Sequence, residues 1–260
     1  MIGSTIGLAA DLPFPPGVED FYLPGLFGAY PWITKFTILV WVAVALILIF
    51  FLAAYRNPKL VPTKVQWMAE SIYGFTRNNV AADLIGPEGI RFAPYLCTLL
   101  CFLLVTNLFG IVPFIQISPN SHIAFPVILA VISYVLFIYQ GLRRFGLRYF
   151  RNTLILPAPW YVQPILIPIE FASTFLIRPF TLAVRLFANM FAGHVILLVF
   201  TLGGFVLLNS DALFLKPISL LSWAMAIALT FLEALVAILQ AYVFVVLTSS
   251  YLQGALAEEH

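Results

Sequence analysis

Apolar positions in this chain gather into long unbroken runs, and the polar residues inside those runs recur at helical intervals rather than in alternation. The first run is Trp32 to Tyr55. A second stretch, Phe92 to Leu142, holds 51 residues without Lys, Arg, Asp or Glu and is broken only at Pro113 to His122, where Ser118, Pro119, Asn120 and Ser121 predict a turn. Two further runs extend from about Val162 to Leu208 and from Lys216 to Leu256. Since about 20 apolar residues cross the hydrocarbon core of a bilayer, the pattern predicts five membrane-crossing helices. The last two are too long for a perpendicular crossing. The 41 residues from Lys216 to Leu256 make roughly 60 Å of helix against a core about 30 Å thick, so the helix must tilt steeply, bend or project. Pro179 can kink the helix before it, and Asn209 to Leu215 form the short turn between the two.

Between the first two runs, from Pro62 to Gly86, apolar Val65, Met68, Ala69, Ile72, Phe75 and Val80 recur near helical spacing against Lys64, Glu70, Arg77 and Asn78. That pattern predicts an amphipathic helix at the membrane interface, with a short soluble hairpin as the alternative. Composition agrees: 62% of the 260 residues are hydrophobic and 9% charged, which excludes a soluble domain. The fold class is therefore an all-α integral membrane protein, with residues 32–256 as one polytopic domain. Residues 1–31 read as an irregular acidic arm with Asp11, Glu19, Asp20 and five prolines, and no basic segment precedes an apolar core as in a signal peptide. Residues 257–260 are a short acidic tail. Cys97 and Cys101, four apart in an apolar run, read as packing thiols rather than a disulfide or metal site.

Net charge is only +2, and its distribution says more. If the first span runs outside to inside, Arg56, Lys59, Lys64, Arg77, Arg91, Arg143, Arg144, Arg148 and Arg151 all lie in cytoplasmic segments, leaving Lys35 and Lys216 opposite. Nine against two puts the N-terminal arm outside and the C-terminus in the cytoplasm. The four clustered arginines thus mark topology, and no nucleic-acid partner is expected.

Arg185 departs from this order. From Leu186 to Ser210 there is no Asp, Glu, Lys or Arg, so its guanidinium sits at membrane depth. A permanent charge there costs several kcal/mol, with values from about 2.5 to above 10, unless it meets water or a carboxylate. At about 100° per residue, Thr174, Arg178, Arg185, Ala188, Asn189 and Ala192 share one face, polar and small at once. Small residues admit a second helix closely; the bland alternative is an internal ion pair that only holds the bundle. On the last helix Glu233, Gln240 and Tyr251 fall within about 20° of each other, with Ser222, Thr230 and Thr248 near the same line. Such a stripe lines a wet path or faces the polar side of the preceding helix. Glu233 and His194 supply a carboxylate and an imidazole, the natural groups of a proton relay. They lie about 23 and 15 residues from the turn at Asn209, so they meet only if the helices are offset or inclined. His194 is nine residues from Arg185, nearly the opposite face, and its plain alternative is a packing residue.

RPFTLAVRLFANMFAGH at Arg178 to His194, LQAYVFVVLTSSYL at Leu239 to Leu252, TNLFGIVP at Thr106 to Pro113 and the tail Glu258-Glu259-His260 resemble subunit a of the F-type rotary ATP synthases. The resemblance covers nearly everything from Val61 onward. It implies a proton-conducting stator subunit in which Arg185 faces the essential carboxylate of a rotating c-ring, and Ala188 and Ala192 let ring helices pass closely. By position, Asn189, His194, Glu233 and Gln240 match the outer aqueous half-channel, and Glu170 with Ser173 resembles the inner one; Tyr251 also fits the motif. Some members exchange the acid and the histidine, and this chain has His194 with Glu233. Glu170 precedes Arg185 by fifteen residues, where the family's spacing is fourteen. Implied partners are the c-ring, peripheral-stalk b subunits, other ATP synthase subunits and the lipid bilayer, in a bacterial plasma membrane or, alternatively, an organelle's energy-transducing membrane.

A stand-alone ion-coupled transporter or channel is the competing reading, but it predicts inverted repeats with paired broken helices, and none is evident. An intramembrane enzyme would need a motif such as HExxH, GxSxG or a P-loop, all missing from the sequence. No catalytic site, cofactor or metal is expected, and ATP chemistry is left to partner subunits.

Overall fold

The computed structural model describes residues 34–112, 115, 117–146, 148–150, 162–210 and 213–256. The N-terminal arm, Trp32, Pro113, Arg151 and the tail at 257–260 lie outside them. Five helical stretches among the described residues are long and apolar enough to cross a bilayer: Lys35–Tyr55, Pro87–Leu108, Ala124–Phe145, Gln163–Leu208 and Lys216–Leu256. The fold is an all-α membrane architecture, with α1 (Lys35–Tyr55), α2 (Lys64–Phe75), α3 (Ala93–Leu108), α4 (Ala124–Phe145), α5 (Gln163–Phe171), α6 (Arg178–Leu208) and α7 (Lys216–Leu256).

Helix starts follow local chemistry. Thr34 and Thr63 each turn a hydroxyl onto the free N–H three residues ahead, capping α1 and α2 at 3.4 Å. The segment from Pro62 to Gly86 is helical rather than a hairpin, α2 continuing as a π-helix over Thr76–Ile85. Only part of its apolar set is turned into the bundle. Gln66, Ala69, Thr76 and Val80 are buried, whereas Val65, Met68 and Phe75 are exposed. A buried glutamine is tolerable here because its amide is satisfied: it accepts from Lys59 N–H at 3.1 Å, and donates to Lys59 C=O at 3.1 Å and to Glu70 at 2.8 Å. The larger apolar side chains are left to meet lipid.

α6 and α7 make the most extensive helix pair, and α3 and α4 pack on them. The apolar core, including Leu96, Leu99, Phe137, Leu182, Leu186, Phe244, Val245 and Leu252, lies towards the end of the bundle that holds the C-terminus of α7. Arg144 at the end of α4 pairs with Glu88 ahead of α3, so these two charged segments share one end of the molecule. Cys97 and Cys101 are buried free thiols, as packing residues should be. α1 is peripheral, burying only Phe36, Ala43 and Ala54.

The interruption in the fourth apolar run comes just before Pro179. A π-helical segment, Ala172–Ile177, separates α5 from α6, and Pro179 sits in the first turn of α6. A proline ring clashes with the carbonyl four residues earlier, here Phe175, and a π turn displaces that carbonyl. The wider turn takes up about one extra residue, which shifts the phase of everything upstream.

The α6–α7 turn also changes an expected distance. The first of these helices ends at Leu208 and the second starts at Lys216, so towards the polar pair α6 contributes about 21 Å up to His194 and α7 about 26 Å up to Glu233. The two meet with little offset. Near the turn, Ser219 and Ser222 donate to the carbonyls of Gly204 and Phe200, each at 2.7 Å, and tie the helices together.

Candidate functional site

The exposed side of α6 carries Arg185, Ala188, Asn189 and Ala192. Arg185 makes no hydrogen bond or ion pair with any described residue, although Glu170 and Glu233 are the acids among described residues 162–256. Both are engaged elsewhere. Glu170 lies 3.7 Å from Arg178 and accepts from the Thr174 hydroxyl at 3.0 Å. Glu233 lies 3.1 Å from His194 Nδ1. Thr174 departs from the predicted face and is buried, because the π segment rotates residues upstream of Arg178.

That rotation explains how Glu170 and Arg178 pair across eight residues. In an ideal α-helix they would stand about 80° apart; with one residue absorbed by the π turn the separation falls to about 20°. The same compensation brings the fifteen-residue interval between Glu170 and Arg185 close to the phase of fourteen. Tyr251 joins this group, its ring centroid 5.6 Å from the Arg178 guanidinium and 6.1 Å from Phe137. Ser173 is half-buried on the π segment and is not bonded to the pair. The predicted stripe on α7 is thereby divided: Tyr251 belongs with Arg178, whereas Glu233 and Gln240 face a second cluster nearer the turn.

In that second cluster His194 and Glu233 are 5% and 6% exposed, so both are shielded from the surroundings of the isolated chain. Each needs a glycine beside it. A Cβ on Gly193 would stand 3.0 Å from Glu233 Oε1, and one on Gly110 would stand 2.4 Å from His194 Cε1. One helical turn and more towards Arg185, Asn189 donates from Nδ2 to Gln240 Oε1 at 2.7 Å. Buried Gln240 Nε2 and both Glu233 oxygens lack an aligned hydrogen-bond partner among the described residues. Leaving such groups unsatisfied costs about 1–3 kcal/mol each, so their retention between two apolar helices points to a task other than packing. Thr230 and Thr248 instead bond the carbonyls of Ala226 and Phe244 on their own helix. They contribute little polarity to the helix interface.

The α3–α4 connection supplies residues that spacing along the long helices did not single out. The Ser118 backbone N–H donates to His194 Nε2 at 3.2 Å. Ser118 Oγ donates to Thr106 C=O at 2.9 Å. Asn120 Nδ2 donates to Thr106 Oγ1 and Asn107 Oδ1, both at 2.8 Å, and Asn107 Nδ2 donates to Ala237 C=O on α7 at 3.1 Å. The turn that the sequence places at Ser118 to Ser121 is folded inward as a buried polar network. Its sequence signal was the proximity of two polar clusters, Thr106-Asn107 and Ser118-Pro119-Asn120-Ser121. Asn120→Ala removes two buried bonds and strands their acceptors, so a loss of about 1–3 kcal/mol is expected in denaturant unfolding of the purified protein.

A model of the ATP synthase A chain family matches residues 37–253. The chain is 43% identical over 251 residues to ATP synthase subunit a of Pseudarthrobacter chlorophenolicus, covering 95% of this chain and 94% of that one. It is 39% identical over 259 residues to ATP synthase subunit a of a Nocardioides species, covering 95% and 94%. With the Rhodococcus erythropolis ATP synthase subunit a, identity is 40% over 272 aligned positions, covering 99% of this chain and 96% of the relative. An arginine on an exposed helix face with no partner among the described residues, one buried and one partly exposed polar cluster flanking it along the helix, and a family match spanning most of the chain lead to one assignment: this chain belongs to the ATP synthase A chain family.

Proposed function

We propose that this chain is the proton-conducting stator subunit of an F-type ATP synthase, forming two aqueous half-channels against a rotating ring of c subunits and held by peripheral-stalk b subunits. The observation that carries the reading is Arg185, exposed beside Ala188 and Ala192 and bonded to no acid among the described residues. A cation left unpaired at membrane depth is stable only if a carboxylate or water reaches it from outside. The small neighbours let a partner helix come close enough to bring one.

Protons enter by the cluster of His194, Glu233, Asn189 and Gln240 and reach a ring carboxylate beside Asn189. The ring turns, and Arg185 attracts the returning carboxylate and expels its proton towards Glu170, Ser173 and Tyr251. The same positive charge repels a hydrated cation and closes the direct route between the two paths. About nine residues of helix, some 13 Å, separate Arg185 from His194, and the Glu170 group lies on its other side, which supports two offset entries. The chain sits in the bacterial plasma membrane with its N-terminus outside and its C-terminus in the cytoplasm, and nucleotide chemistry belongs to partner subunits.

Affinity purification of the tagged chain in mild detergent, followed by mass spectrometry, tests the assembly. A small two-helix proteolipid carrying a mid-membrane carboxylate should co-purify in multiple copies; its absence from an otherwise intact preparation would refute the reading.

A further inference from the structure

His194 is held at both nitrogens and on its edge. Nε2 accepts the Ser118 N–H at 3.2 Å, Nδ1 stands 3.1 Å from Glu233 Oε1, and Gly110 packs against Cε1 so closely that no side chain fits between. A backbone N–H is a donor that cannot be titrated away or reversed. The nitrogen it addresses must therefore present a lone pair, and in a neutral imidazole the other nitrogen carries the hydrogen. Nδ1–H is then the hydrogen nearest Glu233, 3.1 Å separating Nδ1 from Oε1, and both carboxylate oxygens are otherwise without an aligned partner among the described residues. Protonating Nε2 would set two N–H groups against each other inside a buried site, at a cost comparable to an unsatisfied donor.

Resting on the proton path proposed above, we propose that the Ser118 amide locks His194 in its Nδ1–H tautomer, making His194 a fixed hydrogen-bond donor to Glu233 and leaving Glu233 as the group that takes up and releases the proton. His194 keeps its own hydrogen throughout the cycle. It holds and aims the carboxylate and does not relay protons through its ring. Ser118, Thr106, Asn107 and Asn120 are positioning residues, because the network they form fixes where the Ser118 amide points.

Two measurements test this on the assembled complex. The first reads the tautomer directly: with ¹⁵N-histidine labelling, the chain has only His122, His194 and His260, and the His194 signals are those lost in H194N. A protonated Nδ1 with a bare Nε2 is expected; a protonated Nε2 at neutral pH overturns the lock. The second reads the role, by ATP-driven proton pumping normalised to assembled complex. Asparagine places its amide N–H where Nδ1 lies and glutamine places it nearer Nε2, so H194N should pump about tenfold faster than H194Q or H194A if one donor bond to the carboxylate is what matters. Equal defects in all three variants would overturn the fixed-donor role. Ser118→Ala keeps the amide and Ser118→Pro removes it at a φ of −87° close to that of proline, so the proline variant should be the slower by a similar factor. Equal rates for the two would also count against the lock. Glu233→Gln separates the two levels of argument: full pumping in that variant refutes the proton path while leaving the tautomer measurement standing.

Discussion

Arg185→Ala should abolish proton-driven ATP synthesis in membrane vesicles while the complex still assembles. The guanidinium has no partner within the described residues, so its removal breaks no internal bond and relieves the cost of a charge at membrane depth. Stability of the subunit should be unchanged or slightly improved, which makes the expected defect specific to coupling. In the proposed mechanism a ring carboxylate gives up its proton because a cation waits about 4 Å away. At an effective dielectric of about 20 that attraction is worth on the order of 4 kcal/mol, or roughly a thousandfold in the balance between ionised and protonated acid. Without it, ring acids stay protonated in the apolar surroundings, and the barrier between the two paths is lost as well. Synthesis driven by an imposed proton gradient, measured beside the yield of intact complex, distinguishes the possibilities: coupled synthesis above about one hundredth of wild type would contradict the role.

Glu233→Gln should reduce proton flux about tenfold or more, read as gradient-driven synthesis and as ATP-driven pumping. Glutamine keeps the volume and hydrogen-bonding reach of the side chain but cannot carry a proton, and a well-placed proton-transfer group contributes about a hundredfold or more. The packing is preserved. Glu233 is buried against Gly193 and His194, so a substitution that changed size would confuse loss of transfer with loss of fit. Unaltered flux with a full yield of complex would remove Glu233 from the path.

The five crossings were legible because lipid imposes a simple requirement, long apolar helices with internally satisfied backbones, and the runs satisfy it visibly. The exposed face of α6 was legible for a similar reason: Arg185, Ala188, Asn189 and Ala192 follow one helical period with no irregularity between them. Upstream, the same reasoning misplaced Thr174, since a uniform 100° per residue cannot anticipate a π turn. Which residues of α2 the bundle buries was not legible in the same way. Periodicity selects its larger apolar residues, but in a membrane those residues have no need to seek the interior, and the bundle instead admits Ala69 and a fully bonded Gln66.

By itself, then, the order of residues determined the class of protein, the number of crossings, the isolated cation at membrane depth and the presence of one acid and one imidazole in successive helices. Tertiary structure decided which polar groups meet: Glu233 with His194, Glu170 with Arg178, Tyr251 with Arg178 rather than Gln240, and the α3–α4 turn with the far nitrogen of His194. The reason is physical. Exclusion from lipid acts residue by residue and can be summed along a chain, whereas hydrogen-bond partners depend on the lengths of turns and the phase of helices, where one absorbed residue moves a side chain by about 100°.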